Sequence, residues 1–576
     1  MFFWKGRGNM ADINLPYGID DFELVRTSGC YYIDKTGWME ELLSETFSVN
    51  LITRPRRFGK TLTMSMLAEF LDIRKDGKGI FEGLRVSENK AFCEKWMNQW
   101  PVLFLTLKDV EGNRFEDAYD MLQYTISSLC IEHAYLGNSD RVDSTDQDCF
   151  ALLKGRKGRM SDVRSALFSL TRMMRDHYGK KVILLIDEYD VPLAKASDNG
   201  YYAEMLNVIK TFLGMAWKSN PSLQFAVVTG CLRIAKESIF TGANNFISSS
   251  ISDVQYQDYF GFTESEVERL LSDAGFSGAL PEVKQWYDGY RFGEQEIYCP
   301  WDVINYVRAL KKKADAVPQN YWLDTSHNHI IRRFIDLPGM DVTGKFEILL
   351  SGGVIQERIY EDLTYDIANS SEENLWSILY LTGYLTQVLP KDVPEGIRRE
   401  AGKTVLRIPN EEVKSEFENT VKAWFEERIA SRDRRDFFQA WWNGDDETLT
   451  REVSNILFDT ISYFNYKEDY YQGFVSGLFS GAGYEVKSDL EQGRGRADIV
   501  VKERRHRRAI VIEAKWPGKE SSLEAECREA LTQIKKKQYA RNLQIEGYRT
   551  ILCYGAAFLG KECRIMFAGN LHSKVQ

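Results

Sequence analysis

The stretch KVILLIDEYD, at residues 181–190, decides the fold of this chain. Its apolar run suits a strand that is buried on both faces, and such strands occur in parallel sheets covered by helices. Periodic segments at 62–72 and 161–177 predict amphipathic helices. The sequence therefore predicts an α/β fold with an N-terminal parallel sheet. Three other runs have the same strand character: FSVNLIT at 47–53, PVLFLTL at 101–107 and QFAVVT at 224–229.

Length and composition limit the classes of protein that fit. A chain of 576 residues is too long for one hydrophobic core, which predicts about three to four domains. No run approaches the roughly 18 to 20 apolar residues of a membrane-spanning helix, and no secretory signal is expected. The nine cysteines form no CxxC pair, so we expect no zinc site and a reducing, cytoplasmic compartment. The net charge of -10 restricts nucleic-acid contacts to local basic patches.

Three regions are expected along the chain. Residues 10–300 carry the parallel sheet, residues 301–455 are mostly helical, and residues 456–576 form a smaller α/β domain. Within the middle region, 377–425 predicts the order helix, strand, turn, strand, helix, with Asn410 as a helix N-cap. That order fits a winged-helix-like unit, and it fits an irregular helical linker equally well.

The segment RPRRFGKT, at 54–61, follows a predicted strand and opens a predicted helix, which is the context of a phosphate-binding loop in a P-loop NTPase. Backbone N–H groups at such a helix N-terminus hold phosphate oxygens. We expect Lys60 to reach the β and γ phosphates of ATP and Thr61 to bind Mg²⁺, with Gly59 and Arg57 as further nucleotide contacts. The general P-loop motif is GxxxxGK[ST], and Arg54 stands at the position of its first glycine. The extra positive charges of the loop are expected to help phosphate binding.

Two carboxylates end the deciding strand. Asp187 is expected at the C-terminal edge of the sheet, beside the phosphate loop, where it can hold Mg²⁺. Glu188 can polarise the attacking water, and Thr229 at the end of another strand can orient it. The alternative is a doubly wound sheet with charged strand ends and no ligand. Three more residues near the strand ends are candidates either for sensing the γ phosphate or for surface salt bridges: Asp190, Arg233 and Lys236.

Near the C-terminus, RADIVV at 496–501 and AIVIEAKW at 509–516 predict two strands joined as a hairpin by a polar turn. Residues i and i+2 of a strand point the same way, so Glu513 and Lys515 share one face and Ala514 takes the other. Asp498 and Glu513 can then bind one divalent ion, and Lys515 can position water or stabilise phosphate charge. Two charges on an otherwise apolar strand are costly without partners, which favours a metal site over a decayed or structural one.

Other polar residues are candidates for the same cleft. Glu468 precedes the hairpin, and Gln533 and Tyr539 lie on the helix that follows it. A cluster of basic residues around the hairpin suits a nucleic-acid backbone, and a solvated turn is the alternative. Its members are Arg494, Arg496, Arg504, Arg505, Arg507 and Arg508, followed by Lys535 to Lys537.

In order, these motifs resemble a bacterial and archaeal family that joins an AAA-ATPase-like domain to a C-terminal domain of the PD-(D/E)XK nuclease superfamily. The resemblance implies ATP binding and nuclease-like chemistry, and the arginine at 54 is usual in that family. Gln472 departs from it, because relatives often have histidine there. The matching stretches span nearly the whole chain and include LPYGIDDFELVRTSGCYYIDKT at 15–36, RPRRFGKTLTMSML at 54–67, LLIDEYDVPL at 184–193, IYCPWDV at 297–303 and the C-terminal motifs quoted above.

Two classes of function remain open from the sequence. The first is an ATPase coupled to a Mg²⁺-dependent nuclease that acts on DNA or RNA. The second is a signalling or scaffold ATPase, working as a nucleotide switch, whose C-terminal domain binds nucleic acid without cleaving it. An AAA-type ring would need an arginine finger from a neighbouring subunit, and Arg233 is the nearest candidate. The sequence leaves the oligomeric state open, and no membrane partner is expected.

Overall fold

The computed structural model divides into two compact units. The first comprises residues 1–340 and 354–415, and the second comprises residues 341–353 and 416–576. The middle region expected at 301–455 is thus divided between the two units, and the three-region organisation stays a prediction. The structure describes residues 13–234, 239–240, 245–322, 343–365, 372–420, 435–458, 475–476, 479, 482–492, 495–515, 522–559 and 562–570.

Some of the predicted residues lie outside that part of the chain. They are Lys236, Glu468, Gln472 and Arg494, together with most of the helix expected before the C-terminal strands. Arg496 lies within the described backbone, but its side chain is outside the described set.

A five-stranded parallel sheet forms the centre of the first unit, with strand order β2-β3-β4-β1-β5. The four apolar runs predicted as strands are β1 to β4, which confirms the α/β assignment. β5 is not predicted, because its sequence FISS is short, half polar and mostly half-buried. The strands are β1 (Val49–Thr53), β2 (Val102–Thr106), β3 (Val182–Asp187), β4 (Leu223–Gly230) and β5 (Phe246–Ser249).

Helices connect β1 to β2, β2 to β3 and β3 to β4, as expected for strands of a parallel sheet. The segment predicted as one helix at 161–177 is two, because the Ser165 hydroxyl bonds back to the Ser161 carbonyl where the first helix ends. The helices up to the end of this region are α1 (Phe22–Thr27), α2 (Gly37–Ser44), α3 (Lys60–Leu71), α4 (Lys78–Phe81), α5 (Lys90–Trp96), α6 (Phe115–Glu132), α7 (Ser144–Lys154), α8 (Met160–Arg164), α9 (Ala166–Tyr178), α10 (Val191–Asn199), α11 (Tyr202–Trp217), α12 (Glu264–Asp273), α13 (Leu280–Tyr287) and α14 (Pro300–Lys312).

Two small antiparallel sheets follow in the first unit. One is a hairpin of β6 (Tyr290–Phe292) and β7 (Gln295–Ile297). The other has the order β8-β10-β9. The expected order of helix, strand, strand, helix is present, and the Asn410 side chain accepts a 3.0 Å bond from the Val413 N–H as the predicted N-cap. The winged-helix assignment stays a prediction. These later elements are β8 (Ile355–Glu357), α16 (Glu372–Leu381), β9 (Thr386–Gln387), β10 (Thr404–Arg407) and α17 (411–420), with α15 (Thr343–Leu350) assigned to the second unit.

The second unit contains a mixed sheet of order β11-β12-β13-β14-β15. Its one parallel pair among the described strands, β13 with β14, is joined through a helix, and the other pairs are antiparallel. The expected hairpin is present as β12 and β13, whereas the last strand is not predicted. The elements are α18 (Arg435–Asn443), α19 (Asp446–Phe458), β11 (Glu485–Gln492), β12 (Gly495–Glu503), β13 (Arg508–Lys515), α20 (Leu523–Lys537), α21 (Ala540–Ile545), β14 (Thr550–Leu559) and β15 (Glu562–Asn570).

Side-chain alternation gives the mixed sheet two apolar faces. Ile512 and Ala514 pack with Trp441 on one face. Val511 and Val500 pack with Ile534 of α20 on the other. Among the helices in the described ranges, none combines the length and the apolar content needed to cross a bilayer.

Candidate functional site

The loop between β1 and α3 has the form of an anion-binding turn. Gly59, with a φ of 83°, lies at the N-cap of α3, a left-handed conformation that glycine adopts without steric cost. The buried Lys60 ammonium donates to the carbonyls of Arg54, at 3.0 Å, and Pro55, at 2.9 Å. Lys60 therefore folds over its own loop, next to the N–H groups that open α3.

Arg54 has a structural role that the sequence did not indicate. Its guanidinium is fully buried and donates to the carbonyls of Thr53, Ser249 and Gln255 and to the Ser249 hydroxyl, at 2.9 to 3.1 Å. The rings of Phe260 and Phe292 lie 5.2 and 5.4 Å from it, and burial lowers its pKa to about 10. The expectation that this charge helps phosphate binding is therefore wrong for Arg54, which ties the loop to β5 and the segment after it.

The end of β3 meets the first turn of α3. The Thr61 hydroxyl donates to Asp187 Oδ2 at 2.8 Å, and the Thr229 hydroxyl, from the end of β4, donates to Asp187 Oδ1 at 2.5 Å. Asp187 is completely buried, and burial raises its pKa while these two hydroxyls oppose the rise. A threonine hydroxyl beside a carboxylate is a donor set that suits Mg²⁺. The structure thus brings together Thr61, Asp187 and Thr229, as predicted from the sequence. Their roles in nucleotide binding stay predictions.

Glu188 occupies an unusual backbone position next to Asp187. Its φ of 53° lies in the left-handed region, which costs a non-glycine residue about 1 to 3 kcal/mol and is often found at functional sites. Burial raises its pKa, with the charge of Lys60 opposing the rise. The side chain lines a cavity that begins at the phosphate loop. This arrangement fits a base that faces a bound ligand.

That cavity has a volume of about 390 Å³, within the range of small-molecule sites. Its phosphate end is formed by residues 57–63 and Glu188. The remaining walls come from segments far away in the chain and are mainly aromatic and apolar. They include Pro16, Ile19, Tyr31, Tyr32, Ile33, Tyr259, Phe262, Trp301 and Ile304. Sequence reasoning did not assign these walls, although two of the segments, 15–36 and 297–303, belong to the motifs that carried the resemblance.

Arg57 also lines the cavity, and its guanidinium is held from two sides. It lies 4.3 Å from the centre of the Trp301 ring and donates to the Tyr321 carbonyl at 2.6 Å. The Tyr17 ring stacks on the Trp301 ring, with 5.3 Å between the ring centres. The predicted nucleotide contact of Arg57 stays a prediction, and the structure adds its role in the cavity wall.

Two candidates for phosphate sensing have other partners. Asp190 Oδ2 accepts bonds of 3.0 Å from the N–H groups of Cys231 and Leu232 and from the Tyr365 hydroxyl, so it fixes the turn after β4. Arg233 forms an ion pair with Asp362 at 3.3 Å. The salt-bridge interpretation of Arg233 is therefore confirmed.

The second candidate site lies on one face of the β12–β13 hairpin. Glu513 and Lys515 alternate with Ala514, which packs into the core of the opposite face. Asp498, two residues before Val500, takes the same face as Glu513, and its Oδ2 accepts a 2.8 Å bond from the Ala514 N–H. The Lys515 ammonium lies 3.8 Å from Glu513 Oε1. The side-chain parity expected from the sequence is thus present.

Glu513 is the electrostatic centre of this site. Burial and the nearby Asp498 raise its pKa to about 8, while Lys515 and Lys537 oppose the rise. The side chain is 1% exposed, and its Oε2 has no hydrogen-bond partner among the described residues. A buried carboxylate oxygen without a donor costs about 1 to 3 kcal/mol or more, and a divalent cation removes that cost.

Helix α20 closes the site on the same face. The Gln533 amide donates to Glu513 Oε1 and lies 3.3 Å from the Tyr539 hydroxyl, so both residues face the cleft as expected. The helix approaches closely because Gly555 of β14 has no side chain: a Cβ there would lie 2.4 Å from the Cys527 carbonyl. The described residues offer two carboxylates here, and no group of three metal-ligating side chains occurs among them.

The basic turn of the hairpin lies away from this site. Arg508 and Glu513 are five positions apart, which is about 17 Å along a strand. Arg504 bonds to Glu485 at 2.8 Å, and Arg508 bonds to Glu503 and lies over the Trp442 ring. Lys537, at the end of α20, is the second cation that acts on Glu513. A nucleic acid bound at the site would therefore contact α20 in preference to the basic turn.

Comparison with known families assigns two separate parts of the chain. Residues 16–240 match the family model described as predicted AAA-ATPase, and residues 466–568 match that of the PD-(D/E)XK nuclease superfamily. The chain carries an AAA-ATPase-like domain and a PD-(D/E)XK nuclease-like domain. A relative from Azotobacter chroococcum mcd 1, an uncharacterized protein in the vnfD 5′ region, is 25% identical over 562 residues, which cover 93% of this chain and 95% of that protein. The phosphate loop and Asp187 fall in the ATPase-like domain, and Asp498, Glu513 and Lys515 fall in the nuclease-like domain.

Proposed function

We propose that this protein binds and hydrolyses ATP in its ATPase-like domain and cleaves DNA or RNA in its nuclease-like domain. The observation that carries the cleavage half is the unpartnered, buried Oε2 of Glu513 on the face shared with Asp498 and Lys515. The ATP half is supported by the Thr61–Asp187 bond beside a cavity lined by Glu188.

In the ATPase-like domain, the cavity accepts the nucleoside against its aromatic walls and the phosphates at the N-terminus of α3. Lys60 exchanges the carbonyls of Arg54 and Pro55 for oxygens of the β and γ phosphates. Glu188 accepts the proton of the water that attacks the γ phosphate, and Thr229 holds Asp187 in place from the neighbouring strand.

In the nuclease-like domain, Asp498 and Glu513 provide the carboxylates, and Gln533 fixes the orientation of Glu513. Lys515 stabilises the negative charge that develops on the scissile phosphate. At both sites a divalent cation, once bound, would neutralise phosphate oxygens and favour ionisation of water. Thr61 with Asp187, and Asp498 with Glu513, are the residues that would hold it.

The test is a cleavage assay on DNA and RNA substrates with Mg²⁺ or Mn²⁺, with and without ATP. Wild-type protein, Lys515→Ala and Lys60→Ala are compared. We expect the wild type to cut, Lys515→Ala to lose cutting while it still binds ATP, and Lys60→Ala to lose ATP binding. Regulation by ATP predicts that the Lys60→Ala protein no longer responds to the nucleotide.

The second candidate function is a nucleotide switch whose nuclease-like domain binds nucleic acid without cutting it. The pairing of Arg504 and Arg508 with glutamates, away from Glu513, is the observation that favours it, because the basic turn then contributes little to a substrate at the metal site. Absence of cleavage under every metal and nucleotide condition, together with ATP-dependent nucleic-acid binding, would establish this function instead.

A further inference from the structure

A short segment behind the phosphate loop holds two of its residues. The Tyr321 carbonyl accepts the 2.6 Å bond from Arg57, and it also accepts a 2.9 Å bond from the Trp301 indole of the cavity wall. The next residue, Trp322, donates its indole N–H to the Arg56 carbonyl at 3.3 Å. Residues 321–322 therefore connect the phosphate loop to the wall that faces the nucleoside.

This segment is in turn held by one carboxyl group. Glu412, in the first turn of α17, is completely buried, and its Oε1 accepts from the N–H groups of both Tyr321 and Trp322, the latter at 2.9 Å. The peptide between Tyr321 and Trp322 thus has its N–H on Glu412 and its carbonyl on Arg57, and Glu412 also holds the N–H of the preceding peptide. A shift of the Glu412 carboxylate would therefore move the Tyr321 carbonyl, which accepts the hydrogen bond from Arg57.

A second buried acid completes the arrangement. Both oxygens of Asp302, and Oε2 of Glu412, have no N–H or O–H donor among the described residues when both groups are ionised, and the Cys299 thiol is a weak donor beside Asp302. A proton shared between the two carboxyls supplies the missing donor. Burial raises the pKa of both carboxyls, the charge of Asp302 raises that of Glu412 further, and Arg57 opposes the rise of the pKa at Asp302. The two carboxyls therefore share a proton at neutral pH.

The phosphate loop needs such support because its conformation is strained. Arg57 has a φ of 68°, in the left-handed region. A non-glycine residue there costs about 1 to 3 kcal/mol and persists only when its surroundings fix it. The contacts of Arg57 include the Trp301 ring and the Tyr321 carbonyl, both tied to the segment that Glu412 holds.

We propose that Glu412 is a positioning residue for nucleotide binding: through the Tyr321–Trp322 peptide it keeps Arg56 and Arg57 in the loop conformation that receives the phosphates. The inference rests on the proposed binding of ATP. It places a requirement for nucleotide affinity about 350 positions away in the chain from the loop, on a residue that does not itself line the cavity.

Glu412→Ala and Glu412→Gln, measured by calorimetric titration of the full chain with MgATP, test this role. Loss of the acceptor in Glu412→Ala leaves two N–H groups unpaired and should raise the Kd for ATP about tenfold or more, a change that corresponds to about 1.4 kcal/mol. Glutamine keeps the acceptor and offers an N–H to Asp302, so Glu412→Gln should stay within about threefold of wild type. The adjacent, half-buried Glu411→Gln is the matched control and should bind like wild type.

A double-mutant cycle with Arg57→Ala separates positioning from general damage. If Glu412 acts through the loop, Glu412→Ala should cost much less affinity in the Arg57→Ala background than in wild type. Equal losses in both backgrounds, or unchanged affinity of Glu412→Ala, would overturn the inference while ATP binding by the wild type upholds the proposed function. A wild type that does not bind ATP would overturn both.

If Glu412→Ala does not fold, Trp322→Phe takes its place, because it removes the indole bond to the Arg56 carbonyl while it keeps an aromatic ring against Tyr384. It should raise the Kd about threefold to tenfold, and wild-type affinity would contradict the proposed connection.

Discussion

The hydroxyl of Thr61 lies 2.8 Å from Asp187 Oδ2, although the two residues are 126 positions apart. The bond joins the first turn of α3 to the end of β3, and Thr229 reaches the same carboxylate from β4, the strand between β3 and β1. The parallel sheet therefore gathers three chain segments at one edge. Each proposed role at this edge can be tested separately, because each side chain comes from a different element.

Lys60→Ala should abolish measurable ATP binding. Lys60 is 4% exposed, and its ammonium is held beside the N-terminus of α3, where the phosphates are expected. Loss of this charge should raise the Kd for MgATP at least about a hundredfold, which corresponds to about 2.7 kcal/mol. Isothermal titration measures it, with the exposed Lys78→Ala as the control. Unchanged affinity would reject the phosphate-loop assignment.

Glu188→Gln should separate binding from hydrolysis. The amide keeps the size of the side chain but cannot accept a proton from the attacking water. Turnover should fall about 10²- to 10⁴-fold, the usual contribution of a general base, while the Kd for ATP stays close to wild type. Phosphate release and titration of the same protein give both quantities. Turnover at the wild-type rate would show that another group is the base.

Arg54→Gly, which restores the first glycine of the P-loop motif GxxxxGK[ST], should lower the stability of the folded protein. The change leaves the carbonyls of Thr53, Ser249 and Gln255 and the Ser249 hydroxyl without a buried cation as donor. The free energy of unfolding should fall by about 3 to 5 kcal/mol, the cost of breaking a buried charged network. Thermal unfolding followed by circular dichroism measures it. A more stable variant with tighter ATP binding would mean that Arg54 obstructs the loop.

The regular parts of both domains follow from local sequence. Uniformly apolar runs mark β1 to β4, and the alternation of Glu513, Ala514 and Lys515 is enough to assign the two faces of β13. The prediction that Gln533 faces the same cleft follows from its position on the helix after that strand. These features depend on neighbours within a few residues, which is the range that sequence patterns encode.

The features that the sequence did not predict depend on distant partners. Arg54 points inward because carbonyls around residues 249–255 accept hydrogen bonds from its guanidinium. Nothing in the sequence near position 54 indicates these partners. The cavity walls bring Tyr31 and Trp301 together across 270 positions of the chain. Glu412 lies still further away, and its role depends on a backbone peptide, which has no signature in side-chain patterns.

Asp498→Asn should stop cleavage and leave the ATPase activity unchanged. The amide still accepts the Ala514 N–H bond, so the hairpin keeps its geometry, while one of the two carboxylates of the site loses its charge. Cleavage should fall by at least about two to three orders of magnitude, as expected when transition-state charge loses a stabilising group. The matched control is the outward Glu485→Gln on β11. Cleavage at the wild-type rate would show that Asp498 is not part of the metal site.

Metal binding in the nuclease-like domain should strengthen as pH rises toward 8. The pKa of Glu513 is raised from 4.5 to about 8, mainly by burial and by Asp498. At neutral pH the carboxyl is largely protonated without metal, and a divalent cation must displace that proton. The affinity for Mn²⁺, measured by calorimetry, should therefore increase from pH 6 to about pH 8 and level off above it, with proton release that declines over the same range.

The same shift predicts the pH dependence of stability without metal. A carboxyl whose folded pKa lies above its ordinary value favours the folded state while it is protonated. This contribution is full below about pH 4.5 and is lost as the pH rises through about 8. Glu513→Gln stays neutral, so the variant should lose this slope and become more stable than wild type near pH 8 in the presence of a chelator. Identical stability profiles of the two proteins between pH 5 and 8 would show that Glu513 has an ordinary pKa, and the pH dependence of Mn²⁺ affinity should then be absent as well.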